Sequence, residues 1–331
     1  MLLYQGTTTA VSTGDAGAST FATYRRYATA QSRTRIFAFV HIANIALSAF
    51  PVGKLFKIDF AQTEVAAKAL AENADFAIGI MVRMSQNVIT RHGIEPLKRA
   101  IRACELAGTN GRVMCHIGGV ETVDLMSLIL QTLRPGDILT HCYSGAPNDE
   151  GKFTSIVQDG RLLPAALEAK KRSVVFDVGH GGGSFDCTVA EAAIAQGCPL
   201  DTISSDIPVY SGSSAGQPFL TNMMSKFPNM GFSLEQVVTM VMANPAKIID
   251  RISKHGTLQV GAPADVTLLD VVNGPVEFVD TRSNKREGKV LIKPTNTVIA
   301  GVAFGQPYQA PFSTRQRIGS DATPRAASSV P

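Results

Sequence analysis

The chain has 331 residues, 45% of them hydrophobic and 18% charged, with a formal net charge of +4. That leaves room for one barrel-sized domain plus a small appendage, and it excludes a disordered chain. Basic residues are interleaved with acidic ones and line no helix face, which argues against nucleic acid and membrane surfaces and for a small-molecule substrate.

Five cysteines (104, 115, 142, 187 and 198) form no C-x-x-C pair, and three lie inside apolar segments. They read as buried thiols of a reducing, cytoplasmic compartment. The amino terminus, Met1-Leu-Leu-Tyr, lacks the basic region and apolar stretch of a signal peptide. No window approaches the ~18 uninterrupted apolar residues of a membrane span.

In chain order, apolar runs rich in β-branched residues predict strands at 7–14, 34–43, 76–83, 112–118, 136–143, 173–179 and 202–208. Amphipathic helices separate them, among these 61–73, 95–108, 121–133 and 187–197. A run such as Ser173-Val-Val-Phe-Asp-Val-Gly is apolar on both faces, as parallel strands covered by helices are. Alternation with helices implies right-handed crossovers, and the count fits an α/β, TIM-like (β/α) barrel short of one strand, over residues 1–255. From 256 to 312 the chain turns to short extended pieces broken by Gly and Pro, predicting a small antiparallel β-sandwich part. Residues 313–331, rich in Ser, Ala, Arg and Pro, predict a disordered tail.

Three metal-binding side chains end predicted strands: His116 in Arg112-Val-Met-Cys-His-Ile-Gly, His141 in Asp137-Ile-Leu-Thr-His-Cys-Tyr, and Asp206 in Thr202-Ile-Ser-Ser-Asp-Ile-Pro. The carboxyl ends of parallel barrel strands converge on one face, so these residues become neighbours there. Hydrolytic metal sites need such neutral imidazoles, a divalent ion that brings the pKa of water to about 7, and a carboxylate to move the proton. Taken singly, each histidine reads more readily as a hydrogen-bonded rim or core residue. His41 and Asp15 read as structural. Cys115 and Cys142 flank the two key histidines, and alternation sends them to the opposite, helix-packed face. Gly179-His-Gly-Gly-Gly-Ser has neither a Walker lysine nor a G-x-S-x-G elbow nearby, so it reads as close backbone approach to a substrate.

Asp137-Ile-Leu-Thr-His-Cys-Tyr-Ser-Gly, Phe176-Asp-Val-Gly-His-Gly-Gly-Gly-Ser-Phe, Thr202-Ile-Ser-Ser-Asp, Asn244-Pro-Ala and Gly256-Thr-Leu-Gln-Val-Gly-Ala-Pro-Ala-Asp follow one another in this order. Together they resemble the dihydroorotase-like amidohydrolase/deacetylase branch of the amidohydrolase superfamily, over nearly the whole chain up to about residue 310. The resemblance implies that His116 and His141 bind one metal of a two-metal site. It implies Asp206 as ligand of the other metal and general acid/base, and His180 as a substrate contact.

Two departures qualify it. The six histidines (41, 92, 116, 141, 180 and 255) include no His-x-His pair of the kind that opens the family's first strand, and the chain reads as starting at the family's second strand. In Gly79-Ile-Met-Val-Arg, Met81 stands where the family places a carboxylated, metal-bridging lysine. The expectation is therefore zinc or a similar divalent metal, one ion at most. Substrate would be a small N-acyl, ester or cyclic amide compound. The alternative is a non-catalytic relative that binds a small ligand or a partner chain. An open barrel edge would be filled by another segment or covered by a second copy or partner.

Overall fold

The structure, a computed structural model, describes residues 2–49, 54–207, 219–250 and 254–304; the expected tail at 313–331 lies outside them. Strands β1 (Thr9–Gly17), β2 (Arg35–His41), β3 (Ala77–Arg83), β4 (Arg112–His116) and β5 (Ile138–Thr140) pair side by side in parallel. A short antiparallel ribbon follows, β6 (Val157–Gln158) with β7 (Arg161–Leu162), and β8 (Val175–Asp177) then adds in parallel to β5. The sheet thus runs β1-β2-β3-β4-β5-β8, the order of the sequence.

Strand alternation divides the apolar side chains between two cores. Ala38, Val40, Ile80, Val82, Val113, Cys115, Leu139 and Phe176 join helix residues such as Leu70, Ala100, Met126 and Ala166 in a large buried cluster. Their alternates Phe39, Met81, Met114 and Ile138 meet Ile78, Ala246 and Ile249 in a second cluster. Helix Ala243–Ile249 supplies its floor: Asn244 Nδ2 donates to the Asp201 carbonyl at 2.8 Å, and Arg112 Nε to the Ile248 carbonyl at 2.8 Å. The covering helices start and stop on local signals. Thr122 accepts the Leu125 N–H ahead of Val123–Thr132, and Gly108, at φ 64°, ends Glu95–Ala107.

Several strands stop short of their predicted ends for one reason. His141 (φ 63°), Gly179 (φ 50°), Gly181 (φ 54°) and Asp206 (φ 43°) leave the β region and break the pleat. The strand expected at 202–208 is therefore an irregular extended segment over its described residues, with a single parallel bridge between Thr202 and Asp177. Its hydrogen bonds come from Val178 N–H to Thr202 O, His180 N–H to Ser204 O and Gly181 N–H to Ser205 O. Among the described residues no backbone hydrogen bond joins this segment to β1.

The expected short carboxy-terminal pieces are instead one long hairpin, β9 (Val266–Val279) and β10 (Lys285–Ile299), with β11 (Val302–Ala303) on its edge. The breakers are absorbed as register shifts, between Gly288 and Val290 and between Pro294 and Asn296. The hairpin is tied to the rest by Ile292 N–H to Ser225 Oγ (2.8 Å), Thr267 Oγ1–H to the Gly6 carbonyl (2.7 Å) and the Arg35–Asp265 ion pair (2.6 Å). No helix among the described residues is long and apolar enough to cross a membrane.

Candidate active site

Strand register places the candidate side chains. Pairing sets His41 beside Met81 and Arg83 beside His116, so both pairs lie on adjacent strands near their carboxyl ends. His141 follows β5 directly, and its ring meets that of His116 edge-on, 4.0 Å between centroids. Asp206 completes the group, with Oδ2 3.9 Å from His141 Nε2. The structure therefore brings His116, His141 and Asp206 together.

Hydrogen bonds fix much of the chemistry. The Gly179 carbonyl accepts from His141 Nδ1, so neutral His141 carries its proton there and turns the Nε2 lone pair toward Asp206. That approach requires glycine: a Cβ on Gly179 would lie 2.4 Å from Thr140 Oγ1 and 2.8 Å from His141 Nδ1. A Cβ on Gly181 would lie 2.5 Å from Asp206 Oδ2. His116 Nδ1 is buried with no hydrogen-bond partner. His41 Nδ1 accepts the Ala43 N–H at 2.9 Å, which leaves Nε2–H as an unpartnered buried donor. Asp15 lies within β1 and accepts from Ser12 Oγ and Tyr24 Oη, a structural arrangement.

His180 is 2% exposed and stacks on Phe185 at 4.9 Å. Its Nδ1 donates to the Gly181 carbonyl (2.8 Å) and its Nε2 accepts from Lys226 Nζ (2.8 Å). The expected substrate contact thus has no free ring nitrogen in this arrangement.

The sequence reading missed four residues. Asp177 is buried under three hydroxyl donors, Thr140 (2.7 Å), Thr202 (2.6 Å) and Ser204 (2.7 Å), and so pins β5 and the 202–206 segment to β8. Burial pushes its carboxyl pKa up, against the pull of those donors. Arg83, whose Nε is buried without a partner, was within reach of alternation from Met81. Lys54 and Lys226, 5% and 3% exposed, carry no such signal: one lies in an irregular loop, and the other ends a short helix where a lysine reads as solvated.

Burial is the leading cause of every shift here. It drives His116 well below the usual histidine value, helped by Arg83, His141 and Lys54. It does the same to His41, helped by Lys54 and Arg83. His141 is lowered too, opposed by Asp206 and the Gly179 carbonyl. Burial and then Arg83 push Lys54 down to about 7, opposed by Asp15 and Asp206. The result is a set of neutral imidazoles beside the Arg83 guanidinium and a Lys54 poised to titrate near neutral pH.

Neutral nitrogen lone pairs and a carboxylate, with His141 Nε2 and Asp206 Oδ2 facing each other as acceptors, fit a divalent ion of the zinc type. The fit is partial. Among the described residues no group of three or more His, Cys, Asp or Glu side chains converges as a complete ligand set. Met81 packs between Gly14 and the floor cluster and offers no bridging oxygen. Cys115 and Cys142 belong to the helix-side core and face away.

A deacetylase of Agrobacterium fabrum is 33% identical over 303 residues, which span 91% of this chain and 71% of that protein. The chain belongs to the deacetylase-like family of the amidohydrolase superfamily. Another family member, a deacetylase of Enterococcus faecalis, is 30% identical across 91% of this chain and 78% of its own length. A model described as a deacetylase-like composite domain matches residues 258–305, the hairpin region. Among solved structures, an adenine deaminase superposes with a TM-score of 0.84 at 29% identity, covering 92% of this chain and 80% of that one. A dihydroorotase gives 0.83 at 32% identity, covering 92% and 77%. The α/β fold, its parallel sheet and the C-terminal antiparallel sheet are those of the superfamily's barrels.

Proposed function

We propose that the chain is a metal-dependent amidohydrolase of the deacetylase type, acting on a small N-acyl, ester or cyclic amide substrate at the carboxyl ends of its parallel strands. The observation that carries this reading is the His141 lone pair aimed at Asp206, beside a His116 ring whose Nδ1 has no hydrogen-bond partner. His116, His141 and Asp206 would hold one zinc-like ion. Bound there, the ion would supply Lewis acidity toward an acyl oxygen and a lowered pKa for water.

The chain's own residues do the rest. Asp206, exposed and 3.9 Å from His141, takes a proton from the attacking water and returns it to the leaving nitrogen or oxygen. Gly179 and Gly181 let the turn approach His141 and Asp206 without steric conflict. Arg83 and Lys54 line the side next to His116, where an anionic portion of the substrate would be held.

A second reading, a ligand-binding relative without turnover, is favoured by Met81 and by the incomplete ligand set among the described residues. One experiment separates the two: purified chain is supplied with zinc and a panel of N-acetyl amino acids, acetyl esters and cyclic amides. Hydrolysis that depends on zinc and disappears in His141→Ala supports the enzyme. Ligand-induced stabilisation with no hydrolysis leaves the binding relative.

A further inference from the structure

Lys226 is a buried cation surrounded by neutral acceptors. Its Nζ donates to His180 Nε2 at 2.8 Å and to the Val279 carbonyl at 3.0 Å, and lies 5.0 Å over the Phe185 ring. Among the described residues no carboxylate hydrogen-bonds it, although Asp280 favours its charge through space. Burial still outweighs that compensation and holds Lys226 down to about 8, and an apolar side chain would fill the space without the cost. What the ammonium adds is direction, because it can donate hydrogen bonds and never accept them.

That direction propagates. With Lys226 donating, His180 Nε2 must be the lone pair and Nδ1 must carry the proton, which goes to the Gly181 carbonyl at 2.8 Å. The same turn is held by Gly179 N–H to Ser204 Oγ (3.0 Å), His180 N–H to Ser204 O (3.2 Å) and Gly181 N–H to Ser205 O (3.0 Å). From that turn the Gly179 carbonyl receives His141 Nδ1–H, and Gly181 abuts Asp206.

We propose that Lys226 is a positioning residue: it holds His180 as the Nδ1–H tautomer, which fixes the Gly179–Gly181 turn and thereby the direction of the His141 Nε2 lone pair. The link to metal rests on the reading of His141 as a ligand, whereas the tautomer clamp itself needs neither metal nor turnover. The clamp also explains why His180 is closed to substrate.

The test uses the full chain, Lys226→Met and Lys226→Arg, with imidazole 15N spectra at neutral pH and zinc affinity from competition with a chelating dye. The wild type is expected to show His180 and His141 as Nδ1–H tautomers. Lys226→Met, which loses both charge and donor, is expected to give a mixed or Nε2–H signature at His180. Its zinc affinity should fall by roughly 10-fold or more, the scale of losing a residue that orients a ligand. Lys226→Arg keeps a side chain that donates and never accepts, and is expected to restore the signature and most of the affinity. A folded Lys226→Met with an unchanged His180 tautomer overturns the proposal. If the Met variant does not fold, the Arg variant decides: an Nδ1–H signature supports the clamp and an Nε2–H signature beside a donor-only side chain overturns it. A wild type that binds no zinc but shows the tautomer shift in the Met variant removes the metal reading and leaves the clamp standing.

Discussion

His141 and Asp206 share an uncommon backbone state, φ 63° and 43°, which costs a non-glycine residue about 1 kcal/mol or more. Strain at the two residues whose side chains face each other fits a site where aim matters more than local comfort. Asp206→Asn, close in shape, is expected to slow any hydrolysis by roughly 100-fold or more with little change in melting temperature; equal rates in the two proteins would remove Asp206 as the acid/base. Met81 offers a contrasting case. It is 4% exposed within the Phe39, Met114 and Ile138 cluster, so Met81→Lys should bury an unpaired ammonium and cost about 3 kcal/mol or more. Recovery of the melting temperature on adding zinc would show that the position faces a metal after all. The buried histidines set a pH dependence. His41, His116, His141 and His180 titrate below the usual 6.5 in the folded chain, His180 near 3, because burial disfavours their charged forms. Unfolding therefore takes up protons below pH 6.5, so this stability is complete above that value and is lost as pH falls through it toward the lowered values. Each such histidine adds a slope of about 1.4 kcal/mol per pH unit. Lys54 at about 7 and Lys226 at about 8 act in the same sense from those values upward, since both lie below the usual 10.5. The melting temperature is expected to rise from pH 5 to pH 8, and a flat profile would contradict neutral, buried imidazoles. His116, His141 and Asp206 were legible in sequence because ligand-type residues closed three apolar runs. Lys54 and Lys226 were not, because their burial depends on contacts that no local period encodes.

Strand interiors could be read from their apolar runs, whereas strand ends could not, because the residues that end them are polar or glycine and set by the site. Gly179 shows the cost of that arrangement. Ala at this position would meet Thr140 Oγ1 and His141 Nδ1 and would have to hold φ near 50°. Gly179→Ala is therefore expected to lose about 2 kcal/mol or more and to weaken zinc binding. Gly183→Ala, with nothing within 4 Å of its added Cβ, is the control and should be near neutral in thermal melts. Similar losses in both variants would show that the turn constrains the site no more than any loop. The hairpin of β9 and β10 was foreseen as extended but not as continuous, since Gly and Pro read as breaks while the folded ladder takes them up as register shifts.

For the molecule as a whole, ligand count and sheet edges make two statements that measurement can check. Metal analysis after dialysis is expected to find no more than about one zinc-like ion per chain, held through His116 and His141. Two tightly bound ions would mean that another residue replaces the bridge absent at Met81. The 202–206 segment and β1 are not joined among the described residues, and unpaired strand edges favour association. Light scattering is expected to show a second copy or another chain on that edge. A stable monomer melting above about 65 °C would show that the edge needs no cover. Because the parallel sheet is ordered as the sequence is, each new strand leaving the ribosome finds its neighbour already made. The hairpin, synthesised after all of them, reaches back to the earliest residues through Thr267 to Gly6 and Asp265 to Arg35. The emerging hairpin thus fastens a clasp: a nascent chain arrested before residue 265 would hold an assembled sheet with β1 still unfastened.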